Sequence, residues 1–150
     1  MRKLKVKRKL KVKNSKKSLL ALARSRQWDK KRMAYILLAN KSYKTHAGLR
    51  SRVIYIGTTA KGAGRPAASA VNKASQVFYK ARGVKTIEVY IVTCPGRQAM
   101  PTWKRLEAAL IHAFWTIHHQ IPKYNKKKPD HVEGIFGQKA LEKLLLNLPT

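Results

Sequence analysis

The sequence predicts a small α/β domain on a three-stranded, mainly antiparallel sheet flanked by helices, and three observations carry that reading. Residues 34–39, 53–57 and 86–93 are aliphatic, β-branched and aromatic runs of strand length, each followed by a glycine, a proline or a polar stretch. Two stretches beginning at Thr102 and Gln138 repeat apolar residues at helical spacing. At 150 residues the chain is long enough for one core and too short for two. The implied division is a basic arm and helix over 1–32, an α/β domain over 33–128 and a C-terminal extension helix over 129–150.

Charge sets the class of partner. Against 34 Lys and Arg stand 6 Asp and Glu, a formal charge of +28. Self-repulsion of that size opposes a compact state and suits a polyanionic partner, nucleic acid first among them. No apolar run is long enough to span a membrane, so no membrane partner is expected. The single Cys94 excludes an internal disulfide and a multi-thiolate zinc site. With no apolar segment behind the charged N-terminus, the chain reads as cytoplasmic.

The elements follow in order. Residues 1–17 carry ten Lys and Arg and no acid, alternating with Leu4, Val6, Leu10 and Val12. Period-two alternation suggests a strand, but dense like charge favours a solvated tail that orders on phosphate, and the tail is the expectation here. Lys3, Lys5, Lys7, Arg8 and Lys9 are its candidate nucleic-acid contacts. Ser18 can cap a helix to about Lys31. The strand 34–39 and the strand 53–57 form a hairpin across a long polar connector, residues 40–52. After Gly57 a glycine-rich segment ends at Pro66, which opens a helix to about Ala81. Residues 86–93 are the third strand, closed by Pro95-Gly96. Thr102 caps a long helix to about His119, Pro122 ends it, and a basic loop follows to Pro129. The last helix covers 138–148 through Leu141, Leu144, Leu145 and Leu148.

On the helix from Thr102, Trp103, Leu106, Leu110, Ala113, Phe114 and Ile117 define an apolar face, with Arg105, Ala109, His112, Thr116 and His119 opposite. Glu107 falls inside the apolar arc. A buried, unpaired carboxylate costs several kcal/mol, roughly, so Glu107 must meet a cation, a donor or solvent. Two readings stay open: a salt bridge to one of the many bases, or a ligand for a hard divalent cation. Arg65, between Gly64 and Pro66 at a helix entrance, is placed to hold a phosphate. Tyr35 and Tyr55, one in each hairpin strand, complete the group. The five histidines form no metal motif and read as core or solvated residues, and Trp28, Trp103 and Trp115 could stack on bases, though their helical settings favour packing.

These residues in this order resemble the GIY-YIG endonucleases. Met33-Ala34-Tyr35 stands where the family has its first motif, without that motif's glycine and isoleucine, and Tyr55-Ile56-Gly57 matches the second outright. Arg65 lies eight residues beyond Gly57, the usual place of the family's helix-borne arginine. Glu107 and Asn125 correspond to the metal-binding glutamate and the terminal asparagine. Ser69 stands four residues after Arg65, where the family often has His or Tyr. The resemblance covers about residues 33 to 126, and within it an uncharacterised bacterial subgroup is nearest in local sequence.

What the resemblance implies is a metal-dependent endonuclease acting on DNA. Glu107 would bind Mg²⁺ (or Mn²⁺), Tyr35 would be the base with Tyr55 beside it, Arg65 would clamp phosphate, and Asn125 would brace the site. Lys61, Lys73, Lys126, Lys127 and Lys128 join the arm as candidate nucleic-acid contacts. A nucleic-acid-binding protein with this fold and no chemistry, and a ribosome-associated basic protein, are the rival readings.

Overall fold

The longest apolar run becomes the interior of the sheet. In the computed structural model, which describes residues 5–14, 19–22, 34–58, 73, 76–77, 83–93, 102–129 and 137–150, strand β3 (Ala34–Lys44) lies between β4 (Arg50–Thr58) and β5 (Thr86–Thr93). Both pairings are antiparallel. Residues 34–39 are all buried, so both faces of β3 are covered, which is why the run is continuous rather than alternating. The three expected strands are therefore present and paired as a small antiparallel unit.

The sheet does not end there. β1 (Lys5–Asn14) pairs antiparallel with β5, and β2 (Leu19–Leu22) with β1, giving the order β2-β1-β5-β3-β4. The solvated tail expected over the arm is thus corrected to a strand through residues 5–14, and the helix expected from Ser18 to Lys31 is replaced at its start by β2. Residues 23–33 lie outside the described residues. Two forces outweigh charge density and local propensity. Without β1, the β-branched run of β5 would leave a row of backbone donors and acceptors unpaired at an open edge. The alternation also meets β5 in a defined register: Val6 opposite Val92 and, past an irregularity between Arg8 and Leu10, Leu10 opposite Val89 and Val12 opposite Ile87.

The connector expected over 40–52 is mostly strand. Only residues 45–49 lie between β3 and β4, because polar residues extend a hairpin whose outer part faces solvent. Thr45 closes this loop with its backbone N–H and hydroxyl both donating to the Leu49 carbonyl, at 2.8 and 2.9 Å. Gly48, at φ 83°, takes the left-handed turn that other residues resist. With its own hydrogen given to Leu49, the Thr45 hydroxyl accepts from Nδ1 of His118 at 3.0 Å. His118 is a core histidine, stacked near Phe114 with ring centroids 4.3 Å apart, and burial lowers its pKa.

Helix α1 (Thr102–His118) lies across one sheet face and α2 (Gln138–Leu146) packs behind it. Ala34, Ile36 and Leu38 of β3, Val53 and Ile56 of β4 and Val92 of β5 share one core with Leu106, Leu110 and Phe114 of α1 and Leu141, Leu145 and Leu148 at the C-terminus. The extension helix is part of this core. Ala109, expected on the outer side of α1, is buried, as is Ile111, because α1 is covered on two sides rather than one. Among the described residues between β4 and β5, Lys73, Gln76 and Val77 are helical, in keeping with the helix expected from Pro66 to Ala81, whose other residues lie outside the description.

Candidate functional site

Alternation along β3 and β4 turns Tyr35, Tyr55 and Gly57 away from the face that carries Ile36 and Ile56. In the register of the hairpin Tyr35 stands directly opposite Gly57, and its ring lies over the glycine. A Cβ on Gly57 would sit 2.8 Å from Cζ and Oη of Tyr35 and 2.6 Å from Cε1 of Tyr55. Glycine is required here for space, since both rings occupy the volume a side chain would need. The two rings are tilted by 41° with centroids 6.1 Å apart.

Burial raises the pKa of both phenols, Tyr35 the more strongly. In each, the negative charge of Glu107 adds to the rise, so the carboxylate on α1 lies within electrostatic reach of both hydroxyls. The neighbouring Tyr55 hydroxyl raises the Tyr35 pKa further, while Tyr35 offsets part of the rise at Tyr55. Tyr35 is 4% exposed, whereas Tyr55 is only half-buried. Lys73 places its ammonium 4.5 Å from the centre of the Tyr55 ring.

Asn125 reaches the same strand from the other side. β4 is an edge of the sheet, and the side-chain amide of Asn125 pairs with it in both senses: Oδ1 accepts from the Ile56 N–H at 3.0 Å and Nδ2 donates to the Ile56 carbonyl at 2.9 Å. Tyr124 donates its backbone N–H to the Ile54 carbonyl at 2.8 Å. The loop after α1 therefore caps β4 beside the tyrosine and glycine of the Tyr55-Ile56-Gly57 motif. Lys126, Lys127 and Lys128 leave this cap on exposed backbone.

Glu107 is half-buried on α1. Among the described residues no three His, Cys, Asp or Glu side chains gather into a metal cage. One carboxylate beside neutral phenols suits a hard cation that retains several waters, as Mg²⁺ does, and does not suit zinc.

No family model, curated protein or solved structure matches the chain. Its chemistry must be read from these residues alone.

Of the site expected from sequence, Tyr35, Tyr55, Glu107 and Asn125 are brought to one end of β3 and β4, with Lys73 at its margin. Arg65, Lys61, Ser69 and Lys3 lie outside the described residues, and Lys5, Lys7, Arg8 and Lys9 are described only as backbone positions on β1. None of the helices among the described residues is long and apolar enough to cross a membrane. Trp115, for which sequence favoured packing over base stacking, is 38% exposed and carries the Lys128 ammonium 3.4 Å from its ring centre. Its position on α1 after Phe114, on the side away from the core, was the available signal.

Proposed function

We propose that the chain is a metal-dependent endonuclease of the GIY-YIG type that hydrolyses DNA phosphodiester bonds. The observation that carries this reading is the convergence on one strand end of Tyr35, Tyr55 and Asn125, with the Glu107 charge felt by both phenols. A core needs none of these together. Tyr55 is half-buried where Tyr35 is almost fully buried, so Tyr55 is the phenol on the open side and orients the attacking water, with the Tyr35 ring packed beside it. That order reverses the expectation that Tyr35 is the base. A phenol is already neutral at neutral pH, and burial moves both phenolates further out of reach, so the pair acts through hydrogen bonds rather than as a preformed phenolate. Glu107 would hold the divalent cation, which when bound neutralises charge developing on the reacting phosphate. Arg65 would add a second positive charge there, and Asn125 braces the strand that bears Tyr55.

The test is Glu107→Gln, assayed on supercoiled, linear, branched and single-stranded DNA with Mg²⁺ and with chelator. Cleavage should fall by about two orders of magnitude or more, with DNA binding kept or slightly tighter because one negative charge has left a site for phosphate. A fully active Glu107→Gln protein sinks the proposal. If the wild-type chain binds DNA but never cleaves it with Mg²⁺, the rival reading of a DNA-binding protein without chemistry, which Ser69 favours, takes its place.

A further inference from the structure

Beyond the reacting centre, α1 carries an aromatic face in a setting that packing does not require. Trp115 is 38% exposed on a chain that buries Phe114 beside it completely. Its indole is covered by Lys128, with the ammonium 3.4 Å from the ring centre, and Lys126 and Lys127 lie exposed on the same loop. An ammonium over indole is held by the ring quadrupole and is exchangeable, because at an exposed site the contact is weak. The surface therefore combines a flat aromatic platform with three cations on a loop that begins at Asn125. Bases of an unpaired strand expose their faces to such a platform, and those of a duplex are already stacked on one another.

We propose that Trp115 is a stacking platform for a base of single-stranded DNA, and that Lys128 moves from the indole to a neighbouring phosphate as the base arrives. Spacing agrees with the reading above, on which this inference rests. Trp115 is eight residues beyond Glu107 on one helix, about 12 Å along its axis. That is about three to four nucleotides of a stacked strand at 3.4 Å each. A strand with a phosphate at Glu107 thus reaches Trp115 with a base a few nucleotides away, passing the Lys126–Lys128 loop. The site selects DNA whose strand is unpaired on one side of the cut.

The experiment measures affinity of the full chain for a labelled oligo-dT and for a duplex of equal length, in chelator, across a salt series. Trp115→Ala should weaken single-strand binding about 5- to 100-fold and leave duplex binding within about twofold. Its salt slope should not change, since no cation is lost. Trp115→Phe should keep most of the affinity, which separates stacking from a folding defect. Lys128→Gln should lower the single-strand salt slope by about 0.7, one phosphate contact. Equal losses on both DNA forms, or no loss on oligo-dT, would overturn the platform while leaving the nuclease reading intact. A wild-type chain that binds neither DNA overturns both.

Discussion

Asn125 offers the sharpest perturbation, because its two bonds to Ile56 can be removed together or one at a time. Ile56 is fully buried, so Asn125→Ala leaves a backbone N–H and a carbonyl without their partners at 3.0 and 2.9 Å. Each buried unsatisfied group costs about 1–3 kcal/mol. Asn125 is itself only half-buried, so water enters the vacated space and repairs part of the loss. A net cost of about 2–4 kcal/mol remains, which at about 2–4 °C per kcal/mol for a chain of this size lowers the melting temperature by about 5–15 °C. Asn125→Asp keeps the acceptor for the Ile56 N–H but sets a carboxylate oxygen against the Ile56 carbonyl. That contact favours the protonated acid, so the introduced carboxyl has its folded pKa raised above about 3.9, the unfolded value. The stability of this variant relative to wild type is then fully present below about pH 4 and is lost as pH rises through the folded pKa.

Thermal melts of wild type and both variants at pH 4.5 and pH 7, compared at each pH, test this directly. Well below the melts, cleavage by Asn125→Ala should drop about 10- to 100-fold, as Tyr55 and Gly57 flank the loosened residue. An alanine variant that melts within about 2 °C of wild type, or an aspartate variant whose deficit does not change with pH, would refute the brace.

Gly57→Ala drives a methyl group into the rings of Tyr35 and Tyr55, and because Tyr35 is buried the strain cannot be relieved by swinging out; a loss of about 1–3 kcal/mol in a urea melt is expected, with cleavage reduced more than DNA binding. His118 is held neutral by burial, its pKa below the ordinary value, so its contribution to stability is present above about pH 6.5 and is lost as pH falls through the lowered folded pKa. Replacing it by Gln should cost stability at pH 7.5 and flatten the acid limb of a stability curve between pH 7.5 and 5; an unchanged limb would show that another group controls it.

Elements set by local composition were legible in the sequence. β5 matches its expected bounds, Thr86–Thr93, because a β-branched run between turn residues has one sensible conformation. α1 follows for the same reason, from Thr102 to the left-handed turn at His119, φ 58°. What local composition cannot encode is pairing. The Leu19–Leu22 segment has a helix-forming composition, yet it serves as a strand because β1 offers it a ladder. Dense like charge along β1 argued for a tail, and the ladder it forms with β5 outweighs that repulsion. At the site, the residue types were legible as a set, but the placement of Tyr35 over Gly57 is a matter of hairpin register, and Asn125 meets Ile56 across 69 residues of chain. Ala109 was misplaced because a second helix behind α1 widens the face that must be apolar.

The choice of asparagine at position 125 follows from the edge it meets. An exposed edge strand presents unpaired N–H and C=O groups that invite another strand. β4 is such an edge, and it bears the motif tyrosine and glycine, so pairing there with another chain would bury the candidate site. The blocking residue has to answer a donor and an acceptor at once, and a carboxamide does so with the geometry of a peptide group. Aspartate lacks the donor, and a serine hydroxyl offers a single hydrogen. With Tyr124 bonded to Ile54 one step back, the loop continues the ladder for two contacts and then departs as Lys126–Lys128, whose mutual repulsion opposes a third. Closing the edge and fixing Tyr55 are therefore one physical act, and a substitution that frees the edge should produce self-association together with loss of cleavage.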